Sequence, residues 1–196
     1  MAAKRKRLTR YDWIRAALSA LGERGLAGIA VEPLAKQLGV TKGSFYWHFK
    51  DVDALIDAAL ERWAVEETRE SIARLEGIGD PRERLRTLMK PSPASALIGS
   101  IDLALATSAS DPRVAKWLRQ HHRLWIEFAG RAYRQMGYRD PQASYRATLA
   151  YTAWLGFVSL VSADPSWLQG ERSRRSYIAL ARDLLVPSTE GQSGKH

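Results

Sequence analysis

The chain has 196 residues, with 30 Lys and Arg against 21 Asp and Glu and a formal net charge of +9. A hydrophobic share of 45% and a charged share of 26% are ordinary for a packed globular protein, which excludes wholesale disorder and collagen-like repeats. The absence of cysteine excludes disulfide scaffolds, iron–sulfur centres, thiolate zinc sites and thiol catalysis. The excess of positive charge is typical of proteins that bind nucleic acid.

No apolar stretch follows the basic residues near the N-terminus, so they do not read as a secretory signal. The longest apolar segment, residues 149–161, contains Thr152 and Ser159 and is shorter than the roughly 18 residues that a membrane helix needs. We therefore expect a cytoplasmic protein without a membrane partner.

Helix signals dominate the chain, because apolar residues recur at three- and four-residue spacing and no segment alternates between apolar and polar residues. Thr9 is the predicted N-cap of the first helix, with Asp12 three residues later, and Gly22 or Gly25 ends this helix. Caps, prolines and glycines predict further helices at about residues 31–38, 41–48, 51–75, 81–90, 94–109, 112–136, 142–162 and 171–186. The sequence therefore predicts an all-α fold of about nine helices.

The most specific local pattern is LAKQLGVTKGSFYWHF at residues 34–49. Two short helices joined at Gly39 are predicted to form a helix-turn-helix, since glycine supplies the positive φ of the turn. Their shared core is expected to contain Leu34, Leu38, Val40, Phe45 and Phe49. The third helix then keeps a free face without carboxylates, rich in donors and aromatic edges, formed by Lys42, Gly43, Ser44, Tyr46, Trp47 and His48.

These residues, together with the first helix and residues 50–55, resemble the TetR family of transcriptional regulators. The resemblance covers roughly the first 60 residues, and its most specific block is GVTKGSFYWHFK at residues 39–50. It implies a homodimer that places the third helix of each subunit in a major groove of a palindromic double-stranded operator. It divides the chain into a helix-turn-helix domain with a basic arm (1–55), a helical effector-binding and dimerisation domain (56–188) and a flexible tail (189–196).

Carried over by position, the resemblance implies that Lys42, Gly43 and Ser44 read bases. Tyr46, Trp47 and His48 fall where the family contacts phosphates or thymine, and Thr41 and Lys50 flank them as further expected DNA contacts. The alternative is that the aromatic residues belong to the core and that Lys42 is merely solvated. Ala30 and Val52 depart from the family pattern, which has a capping Thr and a Lys there, so two backbone contacts are lost.

A basic arm precedes the first helix and contains Lys4, Arg5, Lys6 and Arg7, with Arg10 following. We expect this arm to lie along the phosphate backbone or in the minor groove and to compensate for the lost contacts. The alternative is a solvated terminal tail.

The second domain offers polar and aromatic candidates for an effector pocket. His121 lies one turn from two tryptophans on an apolar stripe, so it either bonds a ligand or is a buried histidine satisfied by a neighbour. Asp102 interrupts an apolar helix and must be paired, exposed or facing a polar cavity, and in the last case it favours a cationic or hydroxyl-bearing effector. The full candidate set is Trp63, Met89, Asp102, Trp117, His121, Trp125, Phe128 and Tyr151.

The last two predicted helices are apolar enough to form either intramolecular core or the two-plus-two helix bundle by which the resembled family dimerises. Dimerisation is favoured, because half-sites one turn apart, roughly 34 to 36 Å, need a symmetric pair. The expected interface residues are Trp154, Phe157, Val161, Tyr177, Leu180 and Leu184.

The sequence thus predicts a repressor that a small, largely apolar or aromatic effector releases from its operator. One alternative is an effector-blind DNA-binding protein, and another is a helical enzyme that uses His121 and Asp102. Because no nucleophile motif, phosphate-binding glycine loop, paired carboxylates or metal-ligand spacing accompanies them, we expect no enzyme, no metal site and no cofactor.

Overall fold

The computed structural model describes residues 8–90, 93–164, 166–168 and 170–187. These residues form α-helices without any β-strand, as the sequence predicts. The helices are α1 (Arg10–Arg24), α2 (Val31–Gln37), α3 (Lys42–Tyr46), α4 (Val52–Glu61), α5 (Thr68–Glu76), α6 (Pro81–Leu88), α7 (Pro93–Ala106), α8 (Pro112–Gln135), α9 (Gln142–Ala163) and α10 (Glu171–Leu185). A 3-10 turn (Leu26–Gly28) follows α1, and a π-helical segment (Arg62–Glu67) separates α4 from α5. The predicted arm residues and the 189–196 tail lie outside the described residues.

Helix α1 begins at the capping box predicted from the sequence. The Thr9 backbone N–H donates to the Asp12 carboxylate at 2.8 Å, and the Asp12 N–H donates to the Thr9 hydroxyl at 3.3 Å. These two bonds satisfy backbone donors that the first turn of a helix otherwise leaves free. The helix ends before Gly25, whose φ of 68° lies in the left-handed region that glycine adopts without strain.

The N-terminal domain packs around Phe45 and Phe49, which the sequence assigned to its core, and around Trp13, which it did not. Phe45 is fully buried, with its ring edge-on to Trp13 at 5.3 Å and stacked on Phe49 at 5.7 Å. Gly39 has a φ of 67°, which turns the chain between α2 and α3 as predicted. Because Phe45 is anchored from both sides, the rotation of α3 about its own axis is fixed.

The predicted long fourth helix is interrupted. Regular α-helix ends at Glu61 and resumes at Thr68, with the π-helical segment between them. The Thr68 hydroxyl donates to the carbonyl oxygen of Trp63 at 3.0 Å, which provides a partner for a backbone group in the irregular turn. Hydrophobic periodicity did not reveal this interruption, because a π turn changes the helix phase only locally.

The core of the N-terminal domain continues into the second domain. Ile101 and Leu105 of α7 and Val114 and Leu118 of α8 belong to the same buried cluster as Trp13. A second cluster is built around Trp125, Phe128 and Tyr133 of α8 together with α9. The predicted boundary at residue 55 is therefore not a gap in the packing, and α7 and α8 connect the two clusters.

Several helix ends differ from the sequence prediction by a few residues. Helix α7 ends at Ala106 rather than near 109, and α3 ends at Tyr46 rather than His48. The N-cap of α9 is Pro141, which provides no side-chain capping bond, and the neighbouring Asp140 carboxylate accepts a bond from Arg134 at 2.9 Å and one from the Ser144 hydroxyl at 2.8 Å. None of the helices in the described part of the chain is both long and apolar enough to cross a membrane.

Candidate nucleic-acid interface and ligand cavity

Helix α3 exposes the face that the sequence predicted to be free. Tyr46 is 63% exposed and Trp47 is 87% exposed, whereas Phe45 between α3 and the core is fully buried. Lys42 and Gly43 are also exposed, and Ser44 and His48 are half-buried. Two large aromatic rings that lie side by side in water are unusual on a free surface and are typical of a binding face.

Lys42 has an ion-pair partner, Glu32, that precedes the residues from which the free face was predicted. Its ammonium nitrogen lies 2.7 Å from the carboxylate of Glu32, which α2 brings beside the N-terminus of α3. Both side chains are more than half exposed, so water screens this pair and its energy is small. A phosphate or a base edge can therefore replace Glu32 as the partner of Lys42 at little cost.

The helix caps near α3 agree with the departure from the family pattern that the sequence shows at Ala30. Ala30 occupies the N-cap of α2 and offers no side-chain cap, and the Thr41 hydroxyl does not cap α3 either. Asp51 caps α4 by accepting the Ala54 N–H at 2.7 Å, and Lys50 lies 3.7 Å from the same Asp51. Thr41 and Lys50 are exposed at the two ends of the candidate face, where the sequence placed them.

Arg10 has a structural role that its grouping with the basic arm did not indicate. Its guanidinium lies 4.3 Å above the ring of Phe49 and donates to the carbonyl oxygen of His48 at 3.4 Å. Arg10 therefore ties the start of α1 to the end of the α3 region. The other arm residues, Lys4, Arg5, Lys6 and Arg7, lie outside the described residues.

The second domain contains a cavity of about 430 Å³ between α5, α6, α7, α8 and α9. Five of the eight predicted pocket residues line it: Met89, Asp102, His121, Trp125 and Tyr151. Tyr133 and Trp154 line it too, and neither was assigned to the pocket from the sequence. Tyr133 lies two turns beyond Trp125 on the same face of α8, so the helical spacing already contained this signal.

The other three predicted pocket residues do not line the cavity. The Trp63 ring lies behind His121, stacked at 4.2 Å with an angle of 21° between the planes. Phe128 is buried in the second cluster, edge-on to Trp125 at 6.1 Å, and Trp117 packs against the first cluster. The apolar stripe of α8 is longer than the cavity, so its ends serve as core.

Asp102 is buried and faces two histidines. Its carboxylate oxygens lie 3.3 Å from Nε2 of His121 and 3.5 Å from Nε2 of His122. Neither oxygen has a well-aligned hydrogen-bond donor among the described residues. Burial raises the pKa of Asp102, but the contacts with both histidines outweigh burial and leave its pKa below the ordinary value. Of the alternatives left open for Asp102, the structure shows pairing with two histidines together with a place in the cavity lining.

Hydrogen-bond accounting fixes one proton on His121. The Thr68 hydroxyl donates its only hydrogen to the Trp63 carbonyl, so it accepts from Nδ1 of His121 at 2.9 Å. Nδ1 therefore carries a hydrogen, and Nε2 faces the Asp102 carboxylate at 3.3 Å. Asp102 and His121 together form a buried pair, and the His121 ring stacks on Trp63.

The order Asp102, His121, Thr68 has the chemical sequence of a hydrolase triad. However, the Thr68 hydroxyl is buried, is donated to the Trp63 carbonyl and does not line the cavity. The arrangement therefore presents no nucleophile to a bound molecule. In the described part of the chain no three His, Asp or Glu side chains are grouped so as to hold a metal ion.

The predicted dimer residues divide into two groups. Trp154, Phe157 and Tyr177 have partners within the chain: Phe157 stacks on Tyr177 at 5.5 Å and lies 6.3 Å from Trp154. Val161 is half-buried, whereas Leu180 and Leu184 are 58% and 68% exposed. Leu149 and Leu160 of α9 are exposed as well, so α9 and α10 present an uncovered apolar surface.

Comparison with known proteins gives a sequence match for the N-terminal domain and a structural match for nearly the whole chain. Residues 14–59 match the sequence profile of the bacterial regulatory proteins of the tetR family. Tetracycline repressor protein class A from transposon 1721 of Escherichia coli is 43% identical over 61 residues, 31% of this chain and 28% of that protein. The chain thus matches less than a third of that relative's length.

Solved structures match over nearly the whole chain. A transcriptional regulator from Rhodococcus sp. Rha1 has a TM-score of 0.73 at 22% identity, covering 91% of this chain and 94% of its own. The transcriptional regulator FadR from Bacillus subtilis, solved in complex with stearoyl-CoA, has a TM-score of 0.64 at 14% identity, covering 96% and 100%. At these identities the similarity establishes the fold of the second domain.

Proposed function

Because the chain belongs to the TetR family of bacterial regulatory proteins through its N-terminal domain, we propose that it is a dimeric, ligand-responsive repressor. Helix α3 of each subunit binds one half of a palindromic DNA operator, and a small effector in the second-domain cavity releases the protein from that DNA. A protein that acts on bacterial DNA works in the cytoplasm, and this location is part of the proposal.

The observation that carries this proposal is the exposed aromatic face of α3. Phe45 and Phe49 fix the helix against the core, so Tyr46 and Trp47 point outward for a structural reason. Beside them lie the exposed Lys42 and the exposed Gly43, where an added Cβ meets nothing closer than the Thr41 hydroxyl at 3.8 Å. This combination allows the backbone to approach a major groove while donors and aromatic edges reach phosphates, guanine and thymine methyl groups.

The cavity supports a ligand-responsive protein over an effector-blind one. Its volume of about 430 Å³ lies within the range of roughly 300–1,000 Å³ that is usual for small-molecule sites. Its walls are largely apolar and aromatic, which suits the apolar or aromatic effector expected from the sequence. The FadR structure with stearoyl-CoA supports the same view for a protein of this fold.

The buried chain of contacts from Asp102 to Trp63 offers a route between cavity and DNA-binding domain. His121 lines the cavity, bonds Thr68 and stacks on Trp63, and Trp63 belongs to the segment that follows α4. α4 in turn packs against α1 in the shared core. An effector that displaces His121 changes the support of the π segment, so it shifts the population of α4 orientations and the separation of the two α3 helices.

Dimerisation follows from the same geometry and from the surface of α9 and α10. One α3 fills a single half-site, and two half-sites roughly 34 Å apart need a second copy of the chain. The exposed leucines of α9 and α10 supply an apolar surface that an intersubunit helix bundle buries.

DNA retardation tests this function, using fragments from upstream of the protein's own gene over a range of salt concentrations. Lys42→Ala is expected to weaken binding and to lower the slope of log affinity against log salt by about 0.9, since one phosphate contact is lost. Arg119→Ala removes an exposed charge of the second domain and serves as the matched control. Trp47→Ala is expected to weaken binding with an unchanged slope. Failure to retard any genomic fragment at low salt overturns the proposal.

Deletion of residues 1–7 tests the basic arm separately. The deletion removes four cations and is expected to weaken operator binding and to flatten the salt dependence. An unchanged slope shows that the arm is a solvated tail and leaves the α3 assignment intact.

A further inference from the structure

We propose that the effector is an uncharged aromatic molecule whose hydroxyl group donates a hydrogen bond to Asp102 and accepts one from Tyr151. This inference rests on the proposed function, because it names the chemistry of the cavity assigned above to an effector. It is argued from the walls of the cavity, from the polar atoms at its buried end and from their charges.

The walls determine the body of the ligand. Aromatic rings of Trp125, Tyr133, Tyr151 and Trp154 line the cavity together with aliphatic side chains of α6. Rings of this kind pack best against another flat aromatic group, with edge-to-face or offset contacts. The shape and chemistry of the walls therefore favour an aromatic body of one or two rings.

The buried end supplies the polar contacts. Both oxygens of Asp102 and the hydroxyl oxygen of Tyr151 are buried, and none has a well-aligned hydrogen-bond partner among the described residues. The Asp102 oxygens have only the histidine contacts at 3.3 and 3.5 Å, and native proteins normally satisfy such buried atoms with a ligand or water. The buried end of the cavity is therefore a polar subsite.

Asp102 and Tyr151 need opposite hydrogen-bonding groups from a ligand in that subsite. Asp102 is an acceptor, since its carboxylate is ionised beside two histidines. Tyr151 is a donor, because burial and the nearby charge of Asp102 raise the pKa of its phenol and keep it protonated. A hydroxyl group both donates and accepts, so its chemistry matches both residues. An ammonium accepts nothing from Tyr151, and a carboxylate donates nothing to Asp102.

The groups around Asp102 also favour an uncharged ligand. The groups that face Asp102 are His121 and His122 from α8 and Tyr151 from α9. An anionic ligand meets the carboxylate of Asp102, and a cationic ammonium, which only donates, leaves the buried Tyr151 hydroxyl without an acceptor. Arg74 and Lys90 also line the cavity, but both are exposed, and Lys90 is paired with Glu83 at 3.1 Å. They lie at its solvent-facing side.

Four matched compounds test the proposal: naphthylethanol, naphthylethylamine, naphthylacetate and ethylnaphthalene. Binding to the full-length protein is followed by calorimetry and by the fluorescence of its tryptophans, two of which line the cavity. Naphthylethanol is expected to bind about tenfold or more tightly than ethylnaphthalene, since hydrogen bonds to charged groups are worth that ratio. It is also expected to bind more tightly than the amine and the acid. Equal binding of all four, tightest binding of the amine or the acid, or no binding at all overturns the proposal.

Variants locate the effect. Tyr151→Phe is expected to reduce the preference for the alcohol over the hydrocarbon about fivefold, and Asp102→Asn about tenfold. Thr87→Val is the control, because Thr87 lines the cavity but its hydroxyl already bonds Glu83 at 3.3 Å. Asp102→Asn also changes the buried contacts with His121 and His122 and can impair folding, so Tyr151→Phe keeps the test decisive. An unchanged preference in a folded Tyr151→Phe variant overturns the role of Tyr151.

Retardation of DNA without any compound distinguishes this inference from the proposed function. A protein that retards DNA but shows no preference for the alcohol retains the function and loses the inference. A protein that prefers the alcohol but retards no DNA retains the hydroxyl subsite and loses the function.

Discussion

Thr68 is the position at which one side-chain hydroxyl connects three parts of the molecule. It is buried, it donates to the Trp63 carbonyl at 3.0 Å and it accepts from Nδ1 of His121 at 2.9 Å. Thr68→Val keeps the shape of the side chain and removes only the hydroxyl. The variant therefore leaves the Nδ1–H of His121 without a partner in the core. It also removes the hydroxyl that donates to the Trp63 carbonyl.

The expected cost follows from these two bonds. A buried polar group left unsatisfied costs about 1–3 kcal/mol, so Thr68→Val is expected to lower the free energy of unfolding by about 2–4 kcal/mol. Thr68→Ser keeps the hydroxyl and removes one methyl group, which costs about 1 kcal/mol. The expected order of stability is wild type, then Thr68→Ser, then Thr68→Val.

Urea unfolding monitored by far-ultraviolet circular dichroism measures these differences. All three proteins are compared at one subunit concentration, because the stability of a dimer depends on concentration. A shift of the midpoint with an unchanged slope reports stability alone. If Thr68→Val is as stable as Thr68→Ser, the hydroxyl does not hold the π segment and the reasoning fails.

Three further predictions follow from individual contacts. Gly28→Ala places a Cβ 2.7 Å from the Cβ of Arg24, so it is expected to lower the free energy of unfolding in urea by about 1–3 kcal/mol. Gly79→Ala, whose added Cβ has no neighbour within 4 Å, is the control. Equal stability of the two variants contradicts the packing argument. Asp102 has a folded-state pKa below 3.8, so its contribution to stability is present above that pH and lost as the pH falls through the lower folded-state value. Wild type should accordingly lose more stability than Asp102→Asn as the pH falls below 3.8, and parallel pH profiles refute this. Leu184→Glu places a charge on the exposed surface of α10 and is expected to shift the protein from dimer to monomer in sedimentation, and an unchanged mass excludes α10 from the interface.

The sequence predicted the secondary structure well where local chemistry decides it. Thr9 with Asp12, Asp51 and Asp111 mark helix starts because their side chains accept backbone N–H groups a few residues away. Gly39 marks the turn between α2 and α3 because positive φ is a property of the residue itself. The specific block at residues 39–50 then located the candidate DNA-binding face.

The ligand cavity was only partly predictable. Periodicity identified the apolar stripe of α8, but the position of α5, α6 and α9 decides which part of that stripe meets open space. Trp125 lines the cavity, while Trp117 and Phe128, on the same stripe, serve as core. The spacing of apolar residues identifies the buried face of a helix, but it does not identify the helices that pack against that face.

Thus the amino-acid sequence alone determined that this protein is all-helical, where most of its helices begin, and which short helix carries the candidate DNA contacts, because each of these depends on residues a few positions apart. Only the tertiary structure decided that Asp102 pairs with His121 and His122, that Thr68 bonds both His121 and the Trp63 carbonyl, and that Glu32 lies against Lys42. These contacts join different helices, and their geometry is set by how the helices pack rather than by the local sequence of any one of them.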